Sequence, residues 1–230
     1  MSSLTKNSNN EVQSPSQKFV IVDTGCANIS SVKFAVERLG FEISVTDELE
    51  QIKSADKVIL PGVGSAKYAM ENINNKNLSE TLKQLTQPVL GFCLGMQLMT
   101  NSSLEGGKDA SVACLGVIPT SIKPLNVQEN SNLRLPHMGW NTLTEVKNHP
   151  VLNGINAGDY FYFVHSFSAP ISEFTLATCQ YSEDFSAIIA KDNFIGCQFH
   201  PERSGQLGSK IINNFLSIPA DALLKGVKTA

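Results

Sequence analysis

From residue 19 onward the chain alternates between short apolar runs and stretches with helical spacing. Phe19-Val20-Ile21-Val22-Asp23 is a continuous apolar run of the kind found in a strand buried on both faces. After the loop Thr24-Gly25-Cys26-Ala27-Asn28, the residues Val32, Ala35, Val36 and Leu39 share one helical face. Ser30 is the expected cap of this helix and Gly40 the left-handed residue that ends it. A strand over 41–45 completes a βαβ unit, which implies a parallel sheet with right-handed crossovers. A further strand over 55–60 runs into Pro61-Gly62-Val63-Gly64, and a helix starts near Ala66. Val89, Leu90 and Phe92 then form another buried strand, followed at once by helical spacing over 94–100.

Beyond residue 100 the pattern becomes one of short strands. Residues 101–110 read as a polar loop containing Glu105-Gly106-Gly107, and 112–118 and 120–125 as strands. Residues 160–168 alternate aromatic and other side chains, as a strand does. Another strand covers 175–181, and 187–191 pairs with 194–199 around the two-residue turn Asp192-Asn193. A helix near 208–216 buries Ile211, Ile212, Phe215 and Leu216. No internal repeat is present, and the pattern is that of one domain over 18–218, with a disordered tail at 1–17 and a short tail at 219–230.

Composition narrows the class. The net charge of -3, with no run of Lys or Arg, leaves no electrostatic footprint for nucleic acid or an anionic membrane, so partners are neutral molecules or proteins. The Ser, Asn and Gln-rich start lacks the apolar core of a signal peptide or membrane span. Five cysteines, an odd number without a Cys-x-x-Cys pair, argue against a disulfide framework and a zinc site and imply a reducing compartment, most simply the cytoplasm. Cys179 and Cys197 fall in apolar strand patterns and read as core. The first loop has neither a Gly-x-Gly-x-x-Gly fingerprint nor a Walker lysine.

Two stretches carry candidate chemistry. Gly91-Phe92-Cys93-Leu94-Gly95 places a thiol where a strand turns into a helix, with glycines two residues to either side. Such an elbow projects the sulfur at the carboxyl end of the sheet, and the helix start favours an anion and leaves the Leu94 N–H free. The competing reading is a small buried core cysteine. Far downstream, Gln198-Phe199-His200-Pro201-Glu202 ends a strand, where His200 and Glu202 can share a face with Pro201 holding the chain extended between them. A thiol, an imidazole and a carboxylate make a Cys-His-Glu triad. Taken alone, His-Pro-Glu reads equally as a surface turn.

Together, Gly-Phe-Cys-Leu-Gly-Met-Gln and Gln-Phe-His-Pro-Glu resemble the class I, triad-type glutamine amidotransferase domain. The resemblance implies an α/β fold, a doubly wound, mostly parallel central sheet flanked by helices with a smaller antiparallel portion. It implies hydrolysis of L-glutamine by Cys93, His200 and Glu202 with no metal or organic cofactor. Pro61-Gly62-Val63-Gly64 then resembles the oxyanion strand, which makes the Val63 and Leu94 N–H groups the oxyanion hole and places Gly62 and Gly64 beside the substrate. By the same resemblance Glu105 holds the α-amino group of glutamine, Gln97 faces its carboxamide, and His165, Ser166 and Phe167 lie against it. By composition alone His165 reads as a core histidine, and His137 as structural. Phe167 stands where tyrosine is common, which removes any contact through a phenol.

Asp-Thr-Gly-Cys-Ala-Asn, Pro-Gly-Val-Gly and His-Met-Gly-Trp-Asn resemble the branch of this family that pairs with a (β/α)8-barrel cyclase. That resemblance implies a heterodimer, with Asn28, Met138, Trp140, Asn141 and Arg203 at the interface. Ala27 replaces a glycine common in the family's first loop and restricts a loop expected at the partner. A glutaminase feeding another acceptor, a stand-alone cysteine hydrolase and a binding subunit without catalysis are the alternatives.

Overall fold

Strands β1 (Phe19–Val22), β3 (Lys57–Leu60), β4 (Val89–Phe92) and β13 (Phe194–Cys197) are buried at every position, as strands covered on both faces must be. The computed structural model describes residues 17–25, 28–105, 111–128 and 132–225; the expected N-terminal tail up to residue 16, and Cys26 and Ala27, lie outside the described residues. In chain order the remaining elements of the first half are α1 (Ile29–Glu37), β2 (Ser44–Thr46), α2 (Leu49–Lys53), α3 (Ala66–Asn75), α4 (Leu78–Lys83) and α5 (Leu94–Leu98). There follow β5 (Thr100–Ser103), β6 (Val112–Ala113), β7 (Ile118–Pro124), β8 (His137–Val146), β9 (Tyr160–His165) and β10 (Phe167–Ser168). The chain continues through β11 (Thr175–Gln180), β12 (Asp184–Lys191) and β13 to α6 (Gly205–Ser217) and α7 (Ala220–Lys225).

Nine strands form one sheet in the order β2-β1-β3-β4-β13-β12-β11-β8-β9, and β10-β7-β5-β6 form a second. The first five strands of the large sheet run parallel; from β12 outward the pairing is antiparallel. One apolar layer packs α1, α6 and Leu223 of α7 against the sheet, and the other packs α2 to α5 and the small sheet against its opposite face. This is the doubly wound arrangement, with an antiparallel extension built from the hairpins of the second half. Among the described residues no helix is long and apolar enough to cross a membrane.

Several local expectations change. Asn28, in the left-handed region at φ 77°, is the N-cap of α1, so Ser30 lies inside the helix. The helix after Cys93 ends at Leu98 rather than Thr100, because the Thr100 hydroxyl donates to the Gln97 carbonyl and its strand pairs with β7. The expected polar loop at 101–110 therefore begins as a strand. Packing continues past residue 218, where a tail was expected, because Leu223 is fully buried. Lys57, the one fully buried lysine among the described residues, donates to the Leu216 and Ile218 carbonyls at 2.7 and 2.6 Å. These bonds tie the end of α6 to β3 and satisfy carbonyls that a helix end leaves unpaired; burial lowers the lysine to about 8.

Candidate active site

Three neighbouring parallel strands end at one edge of the large sheet. Leu60 and Gly196 both pair with Gly91, and Cys197 pairs with Phe92. The segments leaving these strands are Pro61-Gly62-Val63-Gly64 after β3, Cys93 after β4, and Gln198-Phe199-His200 after β13. Sheet order thus converts three distant sequence segments into neighbours.

Cys93 has φ 50° and ψ -108°, an unfavourable backbone for a residue with a side chain and the signature of a sharp elbow. The flanking glycines allow it by their lack of volume. A Cβ on Gly91 would lie 2.7 Å from the Met96 nitrogen, and one on Gly95 would lie 1.8 Å from the Leu60 carbonyl oxygen. The Cys93 N–H is anchored by donating to the Cys197 carbonyl at 2.7 Å. Its Sγ lies 3.7 Å from the Val164 carbonyl oxygen and 3.7 Å from Gln198 Nε2.

His200 Nδ1 faces Glu202 Oε1 at 2.8 Å, with both side chains buried. This geometry places the ring proton on Nδ1 and turns the other nitrogen toward the Cys93 thiol. Burial by itself lowers the imidazole, but hydrogen bonding and charge interaction with Cys93 and Glu202 outweigh it and raise the group well above its usual value. Strand alternation was expected to put the two residues on one face, but the segment is not extended. Pro201 starts a 3-10 turn over Pro201–Arg203, its fixed φ suiting the first helical position, and the turn folds Glu202 back onto the ring. Asn28 Nδ2 donates to the same carboxylate oxygen at 3.3 Å, and Glu202 Oε2 is buried without a hydrogen-bond partner among the described residues.

A cavity of about 800 Å³ opens at this edge. Cys93, His200 and Glu202 line it, together with Val63, Gly64 and Leu94, and with Gln97, Glu105, His165, Ser166 and Phe167. Asn28 and Arg203 stand at the same cavity, whereas Gly62 lines a small void behind it. Glu105 is not simply solvated: its Oε2 accepts from the Ala66 N–H at 2.5 Å, at the start of α3. Gln97 Nε2 is engaged with the Phe167 carbonyl and with Gln198 Oε1, each at 3.0 Å. His165 bonds the Phe167 carbonyl through Nδ1 at 2.9 Å and His137 Nδ1 through Nε2 at 3.0 Å. Burial lowers His165 to about 3 and His137 to about 4, so both rings are neutral.

Met138 and Trp140 stand outside the cavity on one face of β8, 63% and 56% exposed. Trp140 meets the Tyr162 ring edge-on at 6.0 Å, and the Arg203 guanidinium lies 4.5 Å over the same ring. Asn141 is used internally, donating to the Gln180 carbonyl at 2.8 Å and contacting His137 Nε2 at 3.2 Å. Cys179 and Cys197 are core residues whose thiols are pushed up by burial. Among the described residues no group of three or more His, Cys, Asp or Glu could hold a metal ion. Gln198 was not singled out in the sequence, although a lone amide between the apolar Cys197 and Phe199 was the available signal.

The family model described as glutamine amidotransferase class-I matches residues 20–218. The imidazole glycerol phosphate synthase subunit HisH of Colwellia psychrerythraea is 65% identical over 219 residues, covering 90% of this chain and 96% of that one. The subunit of the same name from Shewanella oneidensis is 54% identical over 210 residues, covering 86% and 95%. A solved structure described as a glutamine amidotransferase shares the fold with a TM-score of 0.64 at 17% identity, covering 86% of this chain and 97% of its own. The family model spans the chain from the first strand of the large sheet to the end of α6, elbow and cavity included, and so this chain belongs to the class-I glutamine amidotransferase family.

Proposed function

We propose that this chain hydrolyses L-glutamine to glutamate and ammonia, as the glutaminase subunit of an imidazole glycerol phosphate synthase. The observation that carries the reading is the convergence of Cys93, His200 and Glu202 at one cavity, from strand ends that only the fold brings together. The Cys93 thiolate attacks the carboxamide carbon, and the oxyanion is held by the Val63 and Leu94 N–H groups. His200 gives its proton to the departing ammonia, then takes one from the water that cleaves the thioester, while Glu202 holds the ring through Nδ1.

Gly64, Gln97, Ser166 and Phe167 shape the glutamine pocket, with Gly62 setting the oxyanion strand behind it and His165 holding the Phe167 carbonyl. Glu105 takes the α-amino group, which requires the substrate to share the carboxylate with the Ala66 N–H. The curated relatives are named as subunits of imidazole glycerol phosphate synthase. On that basis the ammonia enters a (β/α)8-barrel cyclase that forms imidazole glycerol phosphate and aminoimidazole carboxamide ribotide for histidine biosynthesis. The exposed face of Met138 and Trp140, with Arg203 beside it and Asn28 at the cavity rim, is the docking surface for that cyclase. Asn141 supports this face from within. The catalytic unit is a single domain that runs from residue 18 through α7, acting in the cytoplasm.

The test is ammonia release from glutamine by the purified chain, alone and with the barrel cyclase carrying its ribonucleotide ligand. Strong stimulation by the cyclase, abolished by Cys93→Ala, is expected. Activity that survives Cys93→Ala overturns the mechanism; equal activity with and without the cyclase overturns the partner.

A further inference from the structure

Gln198 is fully buried on the segment that carries His200. Burying an amide is costly unless both its ends are bonded, so its contacts indicate what it is held for. Its Oε1 accepts from Gln97 Nε2 at 3.0 Å, and its Nε2 faces Cys93 Sγ at 3.7 Å.

Which end of each amide is oxygen follows from the neighbours. The Phe167 carbonyl can only accept, so the Gln97 group 3.0 Å from it is the NH2. Gln198 must then turn its own oxygen to that NH2 and its N–H groups to the sulfur. The Phe167 carbonyl is itself held by Nδ1 of neutral His165 at 2.9 Å. Sulfur thus has a carbonyl acceptor on one side, at Val164, and an amide donor on the other. A thiol can donate to Val164, whereas a thiolate can only accept, and of these two neighbours only Gln198 can serve it.

We propose that Gln198 is a thiolate-holding residue: its amide, oriented by Gln97 and the Phe167 carbonyl, donates to Cys93 Sγ and stabilises the ionised nucleophile. This rests on the thiol-glutaminase reading above. The titratable and charged groups facing the sulfur and its cavity are His200, Glu202, neutral His165, Glu105, Arg38 and Arg203, and an uncharged replacement of Gln198 leaves all of them in place. Losing one hydrogen bond to an anion lowers the thiolate population on the order of tenfold.

The experiment is the pH dependence of iodoacetamide alkylation at Cys93, followed by mass spectrometry of its peptide in the full chain, with glutamine kinetics alongside. For Gln198→Met, alkylation at pH 7 is expected to slow about tenfold while the high-pH plateau stays within about twofold, because the donor stabilises the thiolate alone. In the complex kcat should fall with little change in KM, which a generally loosened pocket would not produce. Gln97→Met leaves Gln198 free to rotate and should slow alkylation in the same direction by a smaller factor; it decides the matter if Gln198→Met does not fold. Wild-type alkylation profiles in the folded variants overturn the proposal. If Cys93→Ala at the same time abolishes ammonia release, only the role of Gln198 has failed; if Cys93→Ala remains active, the thiol reading itself has failed.

Discussion

Gly95→Ala acts on a close contact between the helix that follows the thiol and the end of β3. The added methyl carbon would lie 1.8 Å from the Leu60 carbonyl oxygen and 2.8 Å from its carbon, where ordinary contact begins at 3.4 Å. Relief requires α5 and the end of β3 to part by roughly 1.5 Å, and neither yields as a flexible side chain would. Leu60 is locked by parallel pairing to Gly91, and α5 is buried throughout. Overpacking of this kind costs about 1–3 kcal/mol, and a clash of backbone lies at the upper end. For a domain of this size about 3 kcal/mol lowers Tm by roughly 6–12 °C. The effect on turnover should exceed the effect on folding, because Leu60 leads directly into Pro61-Gly62-Val63-Gly64 and α5 begins at Cys93. A misplacement of about 1 Å at a reacting centre costs on the order of a hundredfold. Thermal unfolding by circular dichroism and ammonia release in the complex read the two effects separately. Gly116→Ala is the control: its Cβ meets only Asn101 Oδ1 at 3.7 Å, so the substitution tests positive φ alone, at 71°, and should leave turnover unchanged. A Gly95→Ala protein with Tm within about 2 °C and turnover within about twofold of wild type would refute the reasoning.

Two further outcomes follow from the same structure. Buried His137 and His149 are lowered to about 4 and His165 to about 3, so the unfolded chain takes up protons first; the stability they confer is present above the unfolded value and lost as pH falls, by about 2 kcal/mol each at pH 5. His200 is raised, so its contribution is complete below the unfolded value and lost as pH rises toward the folded one. Urea unfolding should therefore show a maximum near pH 7, and a midpoint that does not fall between pH 7 and pH 5 contradicts the neutral, buried assignment. Trp140→Ala, at a residue 56% exposed, should weaken cyclase binding by about 2 kcal/mol or more while leaving Tm unchanged; calorimetric titration showing wild-type affinity would remove Trp140 from the docking face.

Local pattern made much of the site legible. The elbow was visible because glycines at 91 and 95 bracket Cys93, and a Cβ at either place does meet backbone atoms within 2.8 Å. His200 and Glu202 were legible as a pair but not in their geometry, since Pro201 folds the chain into a turn where an extended segment was expected. Glu105 and Gln97 were named for the substrate, yet both are already bonded within the protein, and no pattern along the chain reports that Ala66 or Gln198 is the neighbour. Asn28 reads as a loop residue near a partner, while its amide lies on Glu202, 174 positions away.

By itself the sequence determined the elements whose information is local: apolar runs for the buried strands, helical spacing for α1, α3 and α6, and the glycine-bracketed thiol. Only the tertiary structure decided what depends on the order of strands in the sheet. Placing β3, β4 and β13 side by side brings the Pro61-Gly62-Val63-Gly64 segment, Cys93 and His200 to one edge. The same packing buries Gln198 against Gln97 and the sulfur. Strand order and burial are properties of contacts between residues far apart in the chain, and hydrogen-bond partners, neutral histidines and a cavity exist only once those contacts have formed.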